Sequence, residues 1–329
     1  MVVIAASAGG VEPLRGLLRR LPPDLPAAVL VVLHVPPQGS SVLASILDRA
    51  GPLRAAPAED EETVRPGRVY VARPDYHLLL HRDQARLSRG PRQNGHRPAA
   101  DPLFMSAAVA AGPRAAAVVL SGTLDDGAKG CEAISRYGGA VAVQDFQESA
   151  FPGMPVAASH AVPTAPTLPV RELAEWVLRQ SRTPVSVTDE VRDDDIEREV
   201  NLFLKETPSL GVPNGEPIAF SCPECNGPIY EQKGENTSRY ICKVGHAWSK
   251  ESMMNAQADA VERALWMAIQ RLEERLRVLD RMRRSAEERN QKVSTRHFRD
   301  EEERTRDALG TIRMLQSRIG RNGDTLLSG

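Results

Sequence analysis

The first 180 residues alternate short, continuously apolar runs with amphipathic stretches. The apolar runs predict strands at Val2–Ala6, Ala28–Leu33, Arg68–Val71, Ala116–Leu120 and Ala140–Val143. The amphipathic stretches predict helices at Val11–Arg20, Ser41–Asp48, Asp101–Ala111, Gly127–Tyr137 and Val170–Gln180. Strands covered on both faces lose the usual polar alternation, so this pattern predicts a doubly wound, Rossmann-like α/β fold with a mainly parallel sheet. The less regular segment His77–Leu87 predicts a hairpin at one edge of that sheet.

The remainder of the chain changes character three times. After an α/β domain over residues 1–181, we expect a linker over residues 182–217, in which the acidic run Asp193–Asp195 begins a short helix. Residues 218–250 hold three of the four cysteines. In residues 251–329, apolar side chains recur at spacings of three and four, and a break at Arg289–Thr295 predicts a two-helix hairpin or coiled coil.

Charge and hydropathy exclude several classes of protein. Lysine and arginine number 42 against 43 aspartates and glutamates, a net charge of −1, which argues against nucleic acid or an anionic membrane as the main partner. No apolar run approaches the 18 residues or so of a membrane-spanning helix. The N-terminus lacks the basic and apolar regions of a secretory signal, so we expect a cytoplasmic protein without membrane insertion.

Three chemically active side chains follow three of the predicted strands. Ser7 lies between the first strand and Gly9-Gly10, and His34 ends the second strand. The aspartate pair Asp125-Asp126 follows the strand that ends at Leu120. Each has an ordinary alternative: a glycine-rich turn or phosphate cradle, a structural histidine, and a turn aspartate. Together they supply the nucleophile, general base and orienting acid that acyl transfer requires, because the carboxyl ends of parallel strands share one edge.

Several motifs carry a resemblance to a known family. In chain order they are IAASAGG, LHVPPQGSS, VRPGRVYVARPDYHLLL, HRPAADPLFMSAA, LSGTLDDGAKG and FPGMPVAA. Over residues 1–180 the chain resembles the catalytic domain of CheB-type chemotaxis protein-glutamate methylesterases. The resemblance implies hydrolysis of glutamate γ-methyl esters on methyl-accepting chemotaxis receptors, with possible deamidation of receptor glutamines, and no cofactor for catalysis.

The resemblance also implies individual roles. Ser7 is the nucleophile, His34 the general base and Asp126 the orienting acid, while the backbone N–H groups of Ala8 and Thr123 form the oxyanion hole. In a further shared motif, Arg97 is a candidate substrate-binding residue, with a structural or solvent-facing role as an equal alternative. His96 precedes it and has the same two alternatives.

The chain departs from the family pattern in two places. The family's Gly-Met-Gly before the acid is replaced here by Gly122-Thr123-Leu124, and a leucine is penalised wherever the backbone needs a positive φ. We therefore expect lower activity or a shifted substrate. The best-known relatives carry an N-terminal receiver domain, whereas the first strand here begins at Val2. We therefore expect regulation by a chemosensory protein in trans, regulation by the C-terminal half, or no regulation.

A second constellation comprises Cys222, Cys225, Cys242 and His246. A CPxC knuckle followed by CxxxH supplies three thiolates and one imidazole, which predicts a structural Zn²⁺ in a zinc-ribbon-like module with paired strands in GPIYEQ and SRYIC. The alternative is a small hairpin with unligated cysteines. Cys131 is predicted to be a buried apolar residue.

The C-terminal helices allow two predictions about partners. They form a bundle core or the seam of a homodimer, or they dock beside the helical bundle of a chemoreceptor. The alternative to an enzyme is a degenerate, non-catalytic scaffold or interaction protein of a chemosensory array. The Leu124 departure favours that alternative, and the retained Ser7, His34 and Asp126 oppose it. An esterase for a different acyl ester is a third possibility.

Overall fold

The computed structural model describes residues 1–37, 42–185, 193–205 and 213–323. These residues divide into two compact units, Met1–Met253 and Met254–Gly329. Ser41, at the start of one predicted helix, and parts of the predicted linker and C-terminal segment lie outside the described residues.

The described elements are as follows in chain order. The strands are β1 (Val2–Ala6), β2 (Val29–Leu33), β3 (Arg54–Pro57), β4 (Glu62–Thr63), β5 (Arg68–Val71), β6 (His77–His81), β7 (Gln84–Ser88), β8 (Ala116–Val119), β9 (Ala140–Gln144), β10 (Thr167–Leu168), β11 (Glu216–Ser221), β12 (Pro228–Lys233), β13 (Ser238–Cys242) and β14 (Ala247–Trp248). The helices are α1 (Val11–Leu18), α2 (Leu43–Asp48), α3 (Ala100–Ala111), α4 (Ala128–Arg136), α5 (Gly153–Ala161), α6 (Val170–Arg182), α7 (Asp194–Lys205), α8 (Lys250–Glu288) and α9 (Lys292–Gly323). A 3₁₀ turn covers Gly112–Arg114.

The main sheet has seven parallel strands in the order β10-β9-β8-β1-β2-β5-β3. The central strand β1 pairs with β2 on one side and β8 on the other, so the strand order reverses at β1. Such a reversal opens a crevice at the carboxyl ends of the strands. The predicted doubly wound α/β fold is confirmed.

Both faces of this sheet are covered, which explains its continuously apolar strands. Val3 and Ala5 face a core that includes Phe104 of α3. Val2 and Ile4 face the opposite core, whose helical members come from α1, α2 and α6. Every residue of β1, β2 and β8 is buried, so no position on these strands selects a polar side chain.

The predicted hairpin over His77–Leu87 exists as β6 and β7, but its expected position was wrong. It pairs with β4 in a separate antiparallel sheet, in the order β4-β7-β6, whereas β3 and β10 occupy the edges of the main sheet. Leu78 and Leu80 of β6 belong to the same core as Phe104 of α3. The hairpin therefore covers a helix instead of extending the sheet.

Residues 193–253 belong to the same compact unit as the sheet. Helix α7 begins at the acidic run and buries Phe203, whose carbonyl accepts a hydrogen bond of 2.7 Å from Ser88 Oγ. Strands β11 to β14 form an antiparallel sheet in chain order, including the expected β12–β13 pair. We call residues 216–249 the cysteine module.

In the second unit, α8 and α9 run antiparallel. Arg283 contacts Glu302 at 3.1 Å and Arg313 contacts Glu273 at 2.6 Å, so residues far apart in sequence face one another. Leu279 and Leu309 are buried between the helices. Among the described helices, none has the length and apolarity needed to cross a membrane.

Candidate active site

The carboxyl edge of the sheet brings Ser7, His34 and Asp126 into one hydrogen-bonded chain. Ser7 Oγ lies 3.0 Å from His34 Nδ1, and His34 Nε2 lies 2.7 Å from Asp126 Oδ2. Ser7 follows β1 and His34 follows β2, its partner strand, so the crevice at the strand reversal holds the serine. The imidazole uses its nitrogens in the opposite sense to serine proteases, in which Nε2 faces the serine. The same proton transfer is available from either nitrogen.

Asp126 is held as a buried anion. Its side chain is 2% exposed, and Oδ2 also accepts a hydrogen bond of 2.6 Å from the Ala100 N–H at the start of α3. Burial alone would raise the pKa of this carboxyl, but the hydrogen bond from His34, the charge of that ring and the Ala100 bond together hold it below its usual range. The carboxylate can therefore orient the His34 ring and stabilise its protonated form.

The ring of His96 stacks on the ring of His34. Its ring lies 3.9 Å from the His34 ring, centroid to centroid, at an angle of 10°. Burial first, and then the neighbouring His34, lower the pKa of His96 to about 4. A neutral His96 restricts the tilt of the His34 ring without placing a second positive charge beside it. Sequence analysis left this role undecided because spacing does not reveal ring stacking.

Close backbone packing surrounds the predicted oxyanion hole. A Cβ added at Gly122 would lie 2.9 Å from Ser7 Cβ, so this loop touches the serine. Gly9 has a φ of +69°, and its lack of a side chain lets the turn after Ser7 approach the side chain of Ala150 closely. Within the described parts of the chain, the N–H groups of Ala8 and Thr123 donate no intramolecular hydrogen bond, which leaves them available to a substrate oxygen.

Leu124 adopts the positive φ that its sequence context predicted. Its φ is +60°, in the left-handed region that costs a branched residue about 1–2 kcal/mol. The neighbouring backbone leaves little room to relax, since a Cβ added at Gly153 would lie 2.8 Å from the Leu124 nitrogen. The hydrogen bonds from Gly122 N–H to Phe151 O and from Met154 N–H to Gly122 O hold this loop in place.

Arg97 is committed to intramolecular contacts. Its Nε and Nη2 donate to Asp75 Oδ1 at 3.1 and 2.7 Å, and its Nη1 donates to the carbonyls of Arg89 and Gly90. This favours the structural alternative for Arg97, and its contact with substrate stays a prediction.

Asp125 contacts the end of the cysteine module. Ser249 Oγ donates a 2.6 Å hydrogen bond to Asp125 Oδ1. Burial, followed by the hydrogen bond with Glu251, raises the pKa of Asp125 to about 8, so this carboxyl is protonated at neutral pH. Nearby, burial and the charge of Asp126 raise the pKa of Asp101 to about 6.

The cysteine module brings its four predicted ligands together. The Cys225 and Cys242 sulfurs are 3.6 Å apart, and His246 Nδ1 lies 3.6 Å from Cys242 Sγ and 3.8 Å from Cys222 Sγ. A tetrahedral site with Zn–S bonds near 2.3 Å has ligand–ligand edges of about 3.8 Å, so the set fits the ion. The hydrogen bond from Cys242 lowers the pKa of Cys222 to about 3. Cys131 lies elsewhere, in the core.

Fold and geometry together define a class. A serine, an imidazole and a buried carboxylate at the strand reversal of a parallel sheet are the components of a serine hydrolase site. The family model for CheB methylesterase matches residues 2–177, just over half of the chain, and the chain belongs to this family.

Similar proteins agree with this assignment. A protein-glutamate methylesterase/protein-glutamine glutaminase from Nocardioides sp. is 42% identical over 184 residues, which cover 55% of this chain and 50% of the relative. A protein of that name, numbered 1, from Xanthomonas campestris is 37% identical over 185 residues. The chain thus spans about half the length of the curated relatives it matches.

The chain is also similar to proteins of known structure. The Thermotoga maritima CheB methylesterase catalytic domain is 34% identical, with a TM-score of 0.52 over 54% of this chain and 96% of that chain.

Asn94, Ser249 and Ser252 belong to the site but could not be predicted from the sequence. Asn94 Nδ2 donates a 3.1 Å hydrogen bond to Asp126 Oδ1. The side-chain oxygen of Asn94, Oδ1, accepts hydrogen bonds from the Ser249 N–H and from Ser252 Oγ. Asn94-Gly95 is an ordinary turn signal, and the serines lie more than 150 residues away, so no local pattern connects them.

The strain at Leu124 predicts that Leu124→Gly stabilises the protein. Glycine adopts the observed φ without the left-handed penalty, so we expect the free energy of unfolding to rise by about 1 kcal/mol in chemical denaturation. Leu124→Ala keeps a Cβ and serves as the matched control, for which no gain is expected. Equal behaviour of the two variants would contradict the strain.

The protonated Asp125 predicts a pH-dependent loss of stability. Its folded pKa is raised, so its contribution is fully present below the ordinary aspartate pKa of about 4 and is lost as the pH rises through about 8. Asp125→Asn mimics the neutral form. We expect the melting temperature of the variant to exceed that of the wild type increasingly from about pH 5 to about pH 9. The exposed Asp24 provides the control Asp24→Asn, and a pH-independent difference for Asp125→Asn would refute the assignment.

Proposed function

We propose that residues 1–181 form a protein-glutamate methylesterase domain that hydrolyses glutamate γ-methyl esters on methyl-accepting chemotaxis receptors. The single observation that carries this proposal is the hydrogen-bonded chain from Ser7 through His34 to Asp126, with distances of 3.0 and 2.7 Å. The names of the relatives support the reaction. The intact series of hydrogen bonds from Ser7 to Asp126 favours an enzyme over a non-catalytic scaffold.

In the first half of the reaction, Ser7 Oγ attacks the γ-carbonyl carbon of the methylated glutamate. His34 Nδ1 takes the hydroxyl proton, and Asp126 stabilises the resulting imidazolium through Nε2. The negative charge on the carbonyl oxygen is accepted by the N–H groups of Ala8 and Thr123. Collapse of this intermediate returns the proton from Nδ1 to the leaving oxygen and releases methanol.

In the second half, water replaces methanol. His34 Nδ1 removes a proton from the water as it attacks the acyl-enzyme, and the same proton then returns to Ser7 Oγ. The products are a glutamate side chain and free Ser7. With glutamine as substrate, ammonia leaves in the first half and the second half is unchanged, so one site serves both reactions named for the relatives.

The remaining parts of the chain receive narrower proposals. Residues 182–217 connect the catalytic domain to a zinc-ribbon-like module at 218–250, and residues 251–329 form a helical hairpin that pairs with a second copy or with receptor helices. A chemosensory protein supplies regulation in trans.

Metal-bound thiolates and the receptor substrate both indicate the cytoplasm, where cysteines stay reduced.

The cysteine module binds a structural Zn²⁺ in this proposal. Three sulfurs and one imidazole nitrogen provide four protein ligands, all within 4.8 Å of one another, which leaves no position for a substrate. The ion would connect the knuckle at Cys222 and Cys225 to the turn between Cys242 and His246. Catalysis does not require it as a reactant.

Loss of the nucleophile tests the reaction. Ser7→Ala should lower methanol release from a methylated chemoreceptor fragment by at least about 10³-fold, because no other group replaces the serine oxygen. Fluorophosphonate labelling, located by mass spectrometry, should mark Ser7 in the wild type. The exposed Ser317 gives the control Ser317→Ala, which should keep full activity. Retained turnover in Ser7→Ala would overturn the mechanism.

Metal content tests the cysteine module. The purified full-length chain should contain about one zinc ion by elemental mass spectrometry. Cys225→Ala removes one ligand and should bring the zinc content well below that of the wild type, whereas Cys131→Ala, in the core, should leave it unchanged. Equal zinc content in both variants would refute the ligand assignment.

A further inference from the structure

The catalytic carboxylate contacts a residue that the cysteine module holds in place. Asp126 Oδ2 accepts hydrogen bonds from His34 Nε2 and the Ala100 N–H. Oδ1 accepts a hydrogen bond of 3.1 Å from Asn94 Nδ2 and a longer one of 3.4 Å from the Asp101 N–H. Among the described residues, the side chains that donate to Asp126 are those of His34 and Asn94. The direction in which the Asn94 amide points therefore affects the direction of the carboxylate.

The other side of Asn94 is occupied by the cysteine module and the first turn of α8. Asn94 Oδ1 accepts hydrogen bonds from Ser249 N–H and Ser252 Oγ, both at 2.9 Å, and its own backbone N–H donates to Ala247 O at 2.8 Å. Because Oδ1 faces two donors, the amide has one favourable orientation, with Nδ2 toward Asp126. Asn94 is 7% exposed, so water does not replace these partners.

The part of the cysteine module that precedes these donors is hydrogen-bonded to the catalytic domain. Gln93 Nε2 donates to Gly245 O at 2.9 Å, and a buried arginine of β13, Arg239, donates to Gln93 Oε1. Arg239 also contacts Glu199 of α7 at 2.6 Å. Strand β14 and Ser249 join His246, a predicted metal ligand, to α8, so the positions of the two donors follow from the folding of the cysteine module.

We propose that Asn94 is a positioning residue for Asp126 and that Ser252, in the C-terminal extension, sets its orientation. The catalytic site is thus completed at its acid end by Ser249 and Ser252, which lie about 70 positions beyond the catalytic domain. This inference rests on the proposed function, because its consequence is measured on the esterase reaction. It gives the extension a role in catalysis that does not involve binding the substrate.

The consequence is a loss of rate with little change in binding. Without the Ser252 hydroxyl, Asn94 Oδ1 keeps the Ser249 N–H as its donor, and the amide is held less firmly. The hydrogen bond from Asn94 Nδ2 to Asp126 Oδ1 then weakens, and the carboxylate turns away from His34 Nε2. Displacements of this kind reduce turnover by about 10- to 100-fold. Neither Asn94 nor Ser252 contacts Ser7 or the predicted oxyanion hole, so KM should stay within about twofold of the wild type.

The test compares full-length Asn94→Ala, Ser252→Ala and the double variant with the wild type. We expect each single variant to lower kcat by about 10-fold or more, and the double variant to be no slower than Asn94→Ala, because both changes break one path. Ser252→Thr retains the hydroxyl and should recover most of the rate. Ser221→Ala, an exposed change in the same module, should have no effect.

A spectroscopic measurement separates positioning from a general loss of stability. In proton NMR, the low-field signal of the His34 Nε2 proton should shift or broaden in Asn94→Ala and Ser252→Ala but not in Ser221→Ala. Multiplicative loss of kcat in the double variant, or an unshifted signal despite lower kcat, would overturn the positioning role. If the wild type is not labelled by a fluorophosphonate at Ser7, the proposed function itself fails. Full labelling with unchanged kcat in Ser252→Ala defeats the inference alone.

Discussion

The burial of one negative charge, the Asp126 carboxylate, constrains the rest of the site. A carboxylate removed from water is stable only where hydrogen bonds replace its hydration. Here the replacements come from three different elements: the His34 ring after β2, the Ala100 N–H at the start of α3, and the Asn94 amide. These elements must hold their relative positions, since the loss of one donor leaves a buried charge partly unsatisfied.

The need of buried charges for hydrogen-bond partners also explains why the cysteine module packs within the first unit. Glu132 of α4 is buried to 5% exposure, and its carboxylate accepts the N–H of Glu235 at 2.6 Å, the N–H of Asn236 at 3.2 Å and the hydroxyl of Thr237. Arg239 places a buried positive charge near a group of carboxylates in the catalytic domain, and Glu199 is its direct partner. Polar groups on α4 and α7 that would otherwise be unsatisfied thus find their partners in the cysteine module.

The loop from Gly122 to Asp126 combines two demands that conflict locally. It must pass close to Ser7, which Gly122 permits, and it must then turn sharply so that Asp126 reaches His34. Leu124 makes that turn in a left-handed conformation, which a leucine adopts only when surrounding contacts impose it. The hydrogen bonds to Phe151 and Met154 supply those contacts.

The linear pattern of the chain was enough to predict the parallel α/β fold and the three side chains at its carboxyl edge. Continuous apolar runs require burial on both faces, and residues that follow adjacent parallel strands converge, so Ser7, His34 and an aspartate pair could be placed from spacing. The family resemblance then selected Asp126 from the pair. The cysteine cluster was equally accessible because its ligands are close in sequence.

Long-range contacts decided what the sequence left open. The hairpin β6–β7 packs on α3 instead of joining the main sheet, and His96 stacks on His34. Asn94 connects Asp126 to Ser249 and Ser252 across more than 150 residues. Polar side chains in turns carry no periodic signal, because their partners are chosen by the direction of a hydrogen bond in the folded chain and not by their neighbours in sequence.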